Sequence, residues 1–365
     1  MPAPYSKILA ALPAATPFVG PETLERQRGT AYELRLGANE SAFGISPKAE
    51  ALLRAEAARA NWYCDPEHFE LRGAVAARLG CARENITIGE GIDGLLGLLV
   101  RAFVDPGQAV VTSLGAYPTF NYHVSGYGGR LVQVPYDAAF RNDAEALVET
   151  ARKEKAKLLY LANPDNPTGT FLDRETIATI LARLPGDCLF LLDEAYYEFA
   201  PEEALAPLEP EDPRLVRLRT FSKAHGLAGL RVGYLIGARE LTEALNRVRL
   251  HFGVGRLSQL AAAASLEDES FVSGVIAQVA EGRRDYEALA QRLSLSFIPS
   301  LTNFVALDVG SEERSQRMVQ RLHDAGVFVR RPGAPRLGTH VRLTVGTAQE
   351  RAALAARFEE AYRAL

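Results

Sequence analysis

Apolar residues in the first two thirds of the chain fall into short runs, and each run gives way to a polar or glycine-bearing turn and then to a stretch of helix length. The runs are Asn85–Gly89, Ala109–Thr112, Lys157–Ala162, Leu189–Leu192 and Leu215–Arg219. Runs this short, without regular alternation, predict strands buried on both faces, and the spacers predict helical crossovers between parallel neighbours. From Gly255 the period lengthens: RLSQLAAAASLED and the charged stretch ending near Leu293 predict helices. Phe304–Asp308 and Val327–Arg330 then read as strands flanking a helix over Gln316–Ala325, and a strand around Arg342 and an alanine-rich helix follow. The pattern predicts an α/β protein with a large doubly wound, mostly parallel sheet domain over 31–254, a smaller α/β C-terminal domain over 255–365 and an arm over 1–30. A length of 365 residues, long for one core, agrees with two domains.

An open parallel sheet places ligands outside the carboxyl ends of its strands. Residues directly after the runs therefore share one crevice, however far apart they lie in sequence. Three such clusters carry chemistry: NPDNPTG at Asn163–Gly169, DEAY at Asp193–Tyr196 and TFSKAHGLAGLR at Thr220–Arg231. Glu90–Gly94 and Tyr117–Phe120 follow the two earlier runs. A serine-lysine pair alone is ordinarily a solvated surface feature. Here Thr220 and Ser222 precede Lys223, and Arg231 lies eight residues on, a set suited to an aldehyde that also carries a phosphate. An uncharged amine condenses with the aldehyde, while hydroxyls and a guanidinium fork hold the phosphate dianion.

Charge and cysteine usage narrow the class. A formal net charge of -4 without a basic run argues against nucleic acid as a partner. Cys64, Cys81 and Cys188 are scattered without metal-type spacing, which points to a reducing compartment and no structural zinc. No stretch approaches the roughly 20 apolar residues of a membrane span, so no membrane partner is expected. The apolar piece Ile8–Ala15 contains Pro13 and reads as an arm lying on a partner subunit. The cytoplasm is the expected compartment.

NPDNPTG, DEAYYEF and TFSKAHGLAGLR in that order, with GANESAFGISPKA, YCDP and HVRLTVGT, resemble the fold-type I pyridoxal-phosphate aminotransferases of class I and II, nearest the histidinol-phosphate aminotransferase family. The resemblance runs from about Pro17 to the C-terminus. It implies an aspartate-aminotransferase-like fold, pyridoxal 5'-phosphate as cofactor, transamination between an amino acid and a 2-oxo acid or related carbonyl, and a homodimer with shared active sites.

The resemblance also implies roles. Lys223 would bond the cofactor aldehyde and later shuttle the substrate proton. Its amine must spend time neutral, and lowering a lysine pKa from about 10.4 towards 7 takes roughly 4 kcal/mol. Asp193 would pair with the protonated pyridine nitrogen, and Tyr196 and Asn166 would reach the ring's phenolate oxygen from two sides. Asn166 precedes Pro167, a place where a cis bond would aim the side chain. Gly91, Ile92 and Asp93 would turn backbone N–H groups on the phosphate, helped by Thr220, Ser222 and Arg231. Phe120 would stack on the pyridine ring, and Tyr63 would cross from the neighbouring subunit to the phosphate. On the substrate side, Arg342 would bind the α-carboxylate, Arg330 or its neighbour Arg331 the distal group, and Asn39 would face the substrate.

The chain also departs from the family. Asn39–Glu40–Ser41–Ala42 replaces asparagine-glutamate-asparagine-proline, Cys64 stands where proline is usual, Ile92–Asp93–Gly94 replaces serine-aspartate-glutamate, and Phe18 stands where a phosphate-holding tyrosine is expected. These departures bear on substrate more than on cofactor. An aromatic amino-acid aminotransferase and a phospho-amino-acid decarboxylase are the alternatives within the same chemistry. A cofactor-binding regulator would need a DNA-binding segment, for which the residues before the large domain are too few.

Overall fold

The computed structural model describes residues 3–13, 19–201 and 205–365; Phe18 lies outside them. Twelve strands are described: β1 Leu34–Arg35, β2 Ile86–Gly89, β3 Ala109–Ser113, β4 Arg130–Val134, β5 Leu158–Ala162, β6 Leu189–Asp193, β7 Leu215–Thr220, β8 Gly233–Ile236, β9 Phe297–Ile298, β10 Phe304–Asp308, β11 Val327–Phe328 and β12 His340–Thr344. Seven form the central sheet in the order β2-β8-β7-β6-β5-β3-β4. Only β8 runs antiparallel to its neighbours.

Both faces of this sheet are apolar. Leu158, Tyr160 and Ala162 pack on one face with Leu189 and Leu191, while Leu159 and Leu161 pack on the other with Phe190 and Leu192. Strand side chains alternate between faces, so a strand covered on both sides reads as an unbroken apolar run. The helix Gly91–Phe103 covers the first face through Leu95, Leu96, Leu99 and Val100. At roughly 1.5–3 kcal/mol for each large apolar side chain buried, this packing fixes the helix whose N-terminus opens on the crevice.

The smaller layer joins the antiparallel sheet β12-β10-β9 and the parallel pair β1-β11 to three helices, Glu269–Arg292, Glu312–Asp324 and Ala348–Arg363. Its core also takes in residues from the N-terminal part of the chain. Leu34 and Leu36, assigned to the large domain, pack with Val327, Phe304 and Phe358. Conversely, the helix Arg256–Leu266 buries Ala261 and Ala262 with Ala49, Leu71 and Phe221 of the large domain. Its alanines let neighbouring helices approach closely, and the small layer begins only after Asp268, whose Oδ2 accepts from Ser46 Oγ at 2.6 Å. The N-terminal helix Lys7–Ala11, expected on a partner, turns Ile8 towards Gly128 of its own chain, while Leu9 and Tyr5 face outward.

Candidate active site

Register across three strands builds the anion cradle. Gly89 lies opposite Gly233, and Gly233 opposite Thr220, so the turns after β2 and β7 begin side by side. Gly91 opens its helix at φ +70, a left-handed conformation that L side chains rarely adopt. A Cβ there would stand 2.6 Å from Arg231 Nη2. The first N–H groups of a helix lack intrahelical partners, so Gly91, Ile92 and Asp93 offer theirs beside Arg231. Thr220 Oγ1 and Ser222 Oγ lie 2.9 Å apart and are nearly buried. The Asp93 carboxylate turns to Arg231 at 3.5 Å, which leaves only its backbone N–H for an anion. Replacing Gly91 by alanine is expected to weaken pyridoxal phosphate binding about tenfold to a hundredfold, from strain of about 1–3 kcal/mol and displacement of Arg231. Titration of the apoenzyme with the cofactor, followed by absorbance, checks this.

The Lys223 amine donates to the Asn39 carbonyl at 3.0 Å and sits 5.6 Å from the Tyr196 ring centroid. Burial first and Arg342 second pull it down to about 8, although Asp93 and Glu40 oppose the shift. Asp193 ends β6 and is 4 % exposed. Its Oδ2 accepts from the Tyr160 hydroxyl at 2.7 Å and its Oδ1 from Ala195 N–H at 3.0 Å. Burial pushes this carboxyl up to about 7, and no cation pairs with it among the described residues. A protonated ring nitrogen would supply the missing charge. The next residue, Glu194, is buried with Arg217 and Arg219, whose Nε atoms lie 3.0 and 2.8 Å from Glu194 Oε2. This ion-pair cluster ties β6 to β7 and so sets Asp193 relative to the lysine turn.

Asn39, at φ 55, is the hub of the cleft. Its Nδ2 donates to the Tyr196 hydroxyl at 2.9 Å, and Thr344 Oγ1 donates to its Oδ1 at 3.1 Å. Asn303 Nδ2 also donates to its carbonyl, at 3.1 Å. Tyr196 thus accepts from Asn39 and keeps its own proton to give; burial raises that hydroxyl to about 12. Asn166 Oδ1 accepts from Arg342 Nη1 at 2.7 Å, which leaves the Asn166 amide N–H groups for another acceptor. The cis bond in this loop is Asn163–Pro164, and Asn166–Pro167 is not cis.

Arg342 Nη2 donates to the Gly37 carbonyl at 3.1 Å, while its buried Nε has no partner. Burial lowers the guanidinium to about 10, and no carboxylate pairs with it among the described residues. Its backbone N–H donates to the Arg330 carbonyl at 2.7 Å, so the two side chains start from adjacent backbone. Arg330 Nη2 reaches the Val19 carbonyl at 2.8 Å, whereas Arg331 Nη1 turns to Gly338 at 3.4 Å.

Phe120 is fully buried and stacks on Tyr160 with centroids 4.2 Å apart, beneath the cleft floor. Tyr117, at the start of the helix Pro118–Gly126, interacts with Asp93, Tyr196 and Arg342. Tyr63 is 84 % exposed and meets only Phe252 as a ring partner, 4.9 Å away. Asn303 and Thr344 were not anticipated, although Thr344 lies two residues after Arg342 in HVRLTVGT.

The amine, the buried acid without a cation and the glycine-lined helix start fit pyridoxal phosphate. Comparison with known proteins agrees. The family model for aminotransferase class I and II matches residues 32–358. A histidinol-phosphate aminotransferase 2 of Carboxydothermus hydrogenoformans is 37% identical over 330 residues, 89% of this chain and 90% of that protein. The crystal structure of a histidinol-phosphate aminotransferase from Sinorhizobium meliloti, in complex with pyridoxal-5'-phosphate, is 43% identical with a TM-score of 0.95, covering 99% of this chain and 98% of that one. An aspartate aminotransferase of Thermus thermophilus with maleate, 22% identical over 98% of this chain and 99% of that one with a TM-score of 0.82, shares the fold. The chain is therefore a pyridoxal-phosphate-dependent aminotransferase of fold type I, belonging to the class I and II aminotransferase family and standing close to the histidinol-phosphate aminotransferases within it.

Proposed function

We propose that this enzyme moves an amino group between histidinol phosphate, or an amine of that kind, and a 2-oxo acid whose α-carboxylate docks on Arg342. The observation that carries the carboxylate site is Arg342 itself: a guanidinium beside the Lys223 amine, with a buried Nε lacking any partner. A bidentate carboxylate offers the geometry such a fork requires. The relatives' names favour the phosphorylated amine, with Arg330 at its distal end.

Bound pyridoxal phosphate supplies an aldehyde for the amine and an electron-withdrawing ring that stabilises charge at the substrate α-carbon. Asp193 would hold the proton on the pyridine nitrogen. Tyr196 and Asn166 would donate towards the ring oxygen, and the helix start at Gly91 with Thr220, Ser222 and Arg231 would hold the phosphate. Lys223 Nζ would carry the proton between the substrate α-carbon and the cofactor's aldehyde carbon, a role that its lowered basicity suits.

A homodimer belongs to the same reading. Trp62, Tyr63, Leu250 and Phe252 are all more than half exposed, and Trp62, Tyr63 and Phe252 line a recess of about 240 Å³. An exposed apolar patch of this kind suits a second copy, which would bring Tyr63 to the neighbouring cleft. The cytoplasm is the proposed compartment, supported by three unpaired cysteines; among the described residues no helix is long and apolar enough to cross a membrane.

A substrate panel tests the reading. Formation of glutamate from 2-oxoglutarate with histidinol phosphate is the expected result; turnover only with phenylalanine or tyrosine, or release of carbon dioxide, contradicts it. Replacing Arg342 by glutamine should raise KM for 2-oxoglutarate about a hundredfold or more, the scale of removing one partner of a buried charge pair.

A further inference from the structure

We propose that Arg336 is a positioning residue for substrate binding, latching the segment 331–338 of the small layer onto the large domain and so holding Arg342 and Arg330 over the cleft. The proposal rests on the reading of Arg342 as the carboxylate-binding arginine. Arg336 adopts φ 66, a left-handed conformation that non-glycine residues keep only where their surroundings impose it. What imposes it is a grip on three successive carbonyls of the large domain. Nη1 donates to Tyr136 O at 3.4 Å and to Asp137 O at 2.7 Å, and Nη2 donates to Ala138 O at 3.2 Å. The guanidinium also lies 4.8 Å from the Phe140 ring centroid, and Phe140 meets His340 edge-on at 5.4 Å.

The receiving loop is held ready. Asp137 Oδ1 accepts from the N–H groups of Ala139 and Arg141 at 2.8 and 2.9 Å, which curls the loop so that its carbonyls converge. The seam is tight on its other side, because a Cβ on Gly115 would fall against the Tyr136 ring and 2.8 Å from Ala334 Cβ.

Both ends of this latch lead to Arg342. Along the chain, Arg336 precedes it by one short segment. Through the large domain, the Tyr136 hydroxyl donates to Asp165 Oδ2 at 3.1 Å, and Asp165 is buried among Thr168 and Asn142 donors. The next residue, Asn166, accepts from Arg342. No carboxylate pairs with Arg336 among the described residues, so its guanidinium is held by these carbonyls.

The test uses the holoenzyme and follows isotope exchange between L-glutamate and labelled 2-oxoglutarate. Arg336→Gln, and independently Gly115→Ala from the opposite side of the seam, should each raise KM about tenfold, the equivalent of losing one or two hydrogen bonds. The kcat should stay within about twofold, and affinity for pyridoxal phosphate should be unchanged. Arg336→Lys should restore part of the KM, and hydrogen exchange should quicken at residues 136–140 in Arg336→Gln. An unchanged KM in both variants, or a fall in kcat and melting temperature without a KM effect, overturns the latch. If Arg342→Gln leaves KM unaltered, the carboxylate assignment itself fails; if Arg342→Gln raises KM while Arg336→Gln and Gly115→Ala do not, the latch alone fails.

Discussion

Replacing Lys223 by alanine lowers kcat/KM by at least about 10⁴-fold, the loss expected when one group provides both covalent attachment and proton transfer. Two features of the site require so large an effect. The amine is pulled down to about 8 by burial and by Arg342, and no second lysine is placed in the cleft among the described residues. The same shift sets a pH dependence. Capture of pyridoxal phosphate by the apoenzyme needs the neutral amine, so its rate should rise about tenfold per pH unit below about 8 and level off above it. Stopped-flow absorbance of cofactor uptake checks the profile. A rate that still climbs steeply at pH 10 would show an ordinary exposed lysine doing the work, and an Arg342→Gln variant should move the midpoint upward by removing a neighbouring positive charge.

The second large effect is at Asp193. Asparagine there should lower kcat/KM about 10³-fold, because a charge pair at about 4 Å is worth roughly 4 kcal/mol at intermediate dielectric. The carboxyl is prepared for a cationic partner: burial, helped by the nearby Asp93 and Glu194 carboxylates, has pushed it up to about 7, and Tyr160 and Ala195 hold both its oxygens in place. A positive ring nitrogen pulls it back down and locks the carboxylate form, which keeps the ring protonated at neutral pH. Asparagine preserves shape but not charge. Cofactor binding through Lys223 and the phosphate cradle should persist while turnover falls, a split that steady-state kinetics and a cofactor titration resolve together.

Much of this architecture was legible before any coordinates. The five apolar runs became β2, β3, β5, β6 and β7, because strands covered on both faces carry the strongest local signal. Neither β4 nor β8 carried it. Arg130–Val134 is a sheet-edge strand that begins exposed, and Gly233–Ile236 is only four residues long with a glycine start. Domain membership carries no local signal either. Whether Leu34 or Ala261 belongs to one core or the other depends on partners far away in sequence, and no local period records them.

The site divides along the same line. Lys223, Asp193, Tyr196 and Arg231 directly follow strand ends or lie on the turn after β7, so position along the chain was enough to gather them. The hub at Asn39 was less accessible: its partners Tyr196, Lys223, Asn303 and Thr344 lie from 157 to 305 residues away. A left-handed asparagine bonded to residues from both layers is a tertiary feature, and only the fold assembles it.

The central claim is that one amine, Lys223, holds the cofactor aldehyde at the ends of β6 and β7. Borohydride reduction of the protein reconstituted with pyridoxal phosphate, followed by peptide mass mapping, tests it directly. A single phosphopyridoxyl group on Lys223 is the result expected; a label on any other lysine, or no covalent label in a fully reconstituted sample, contradicts the account.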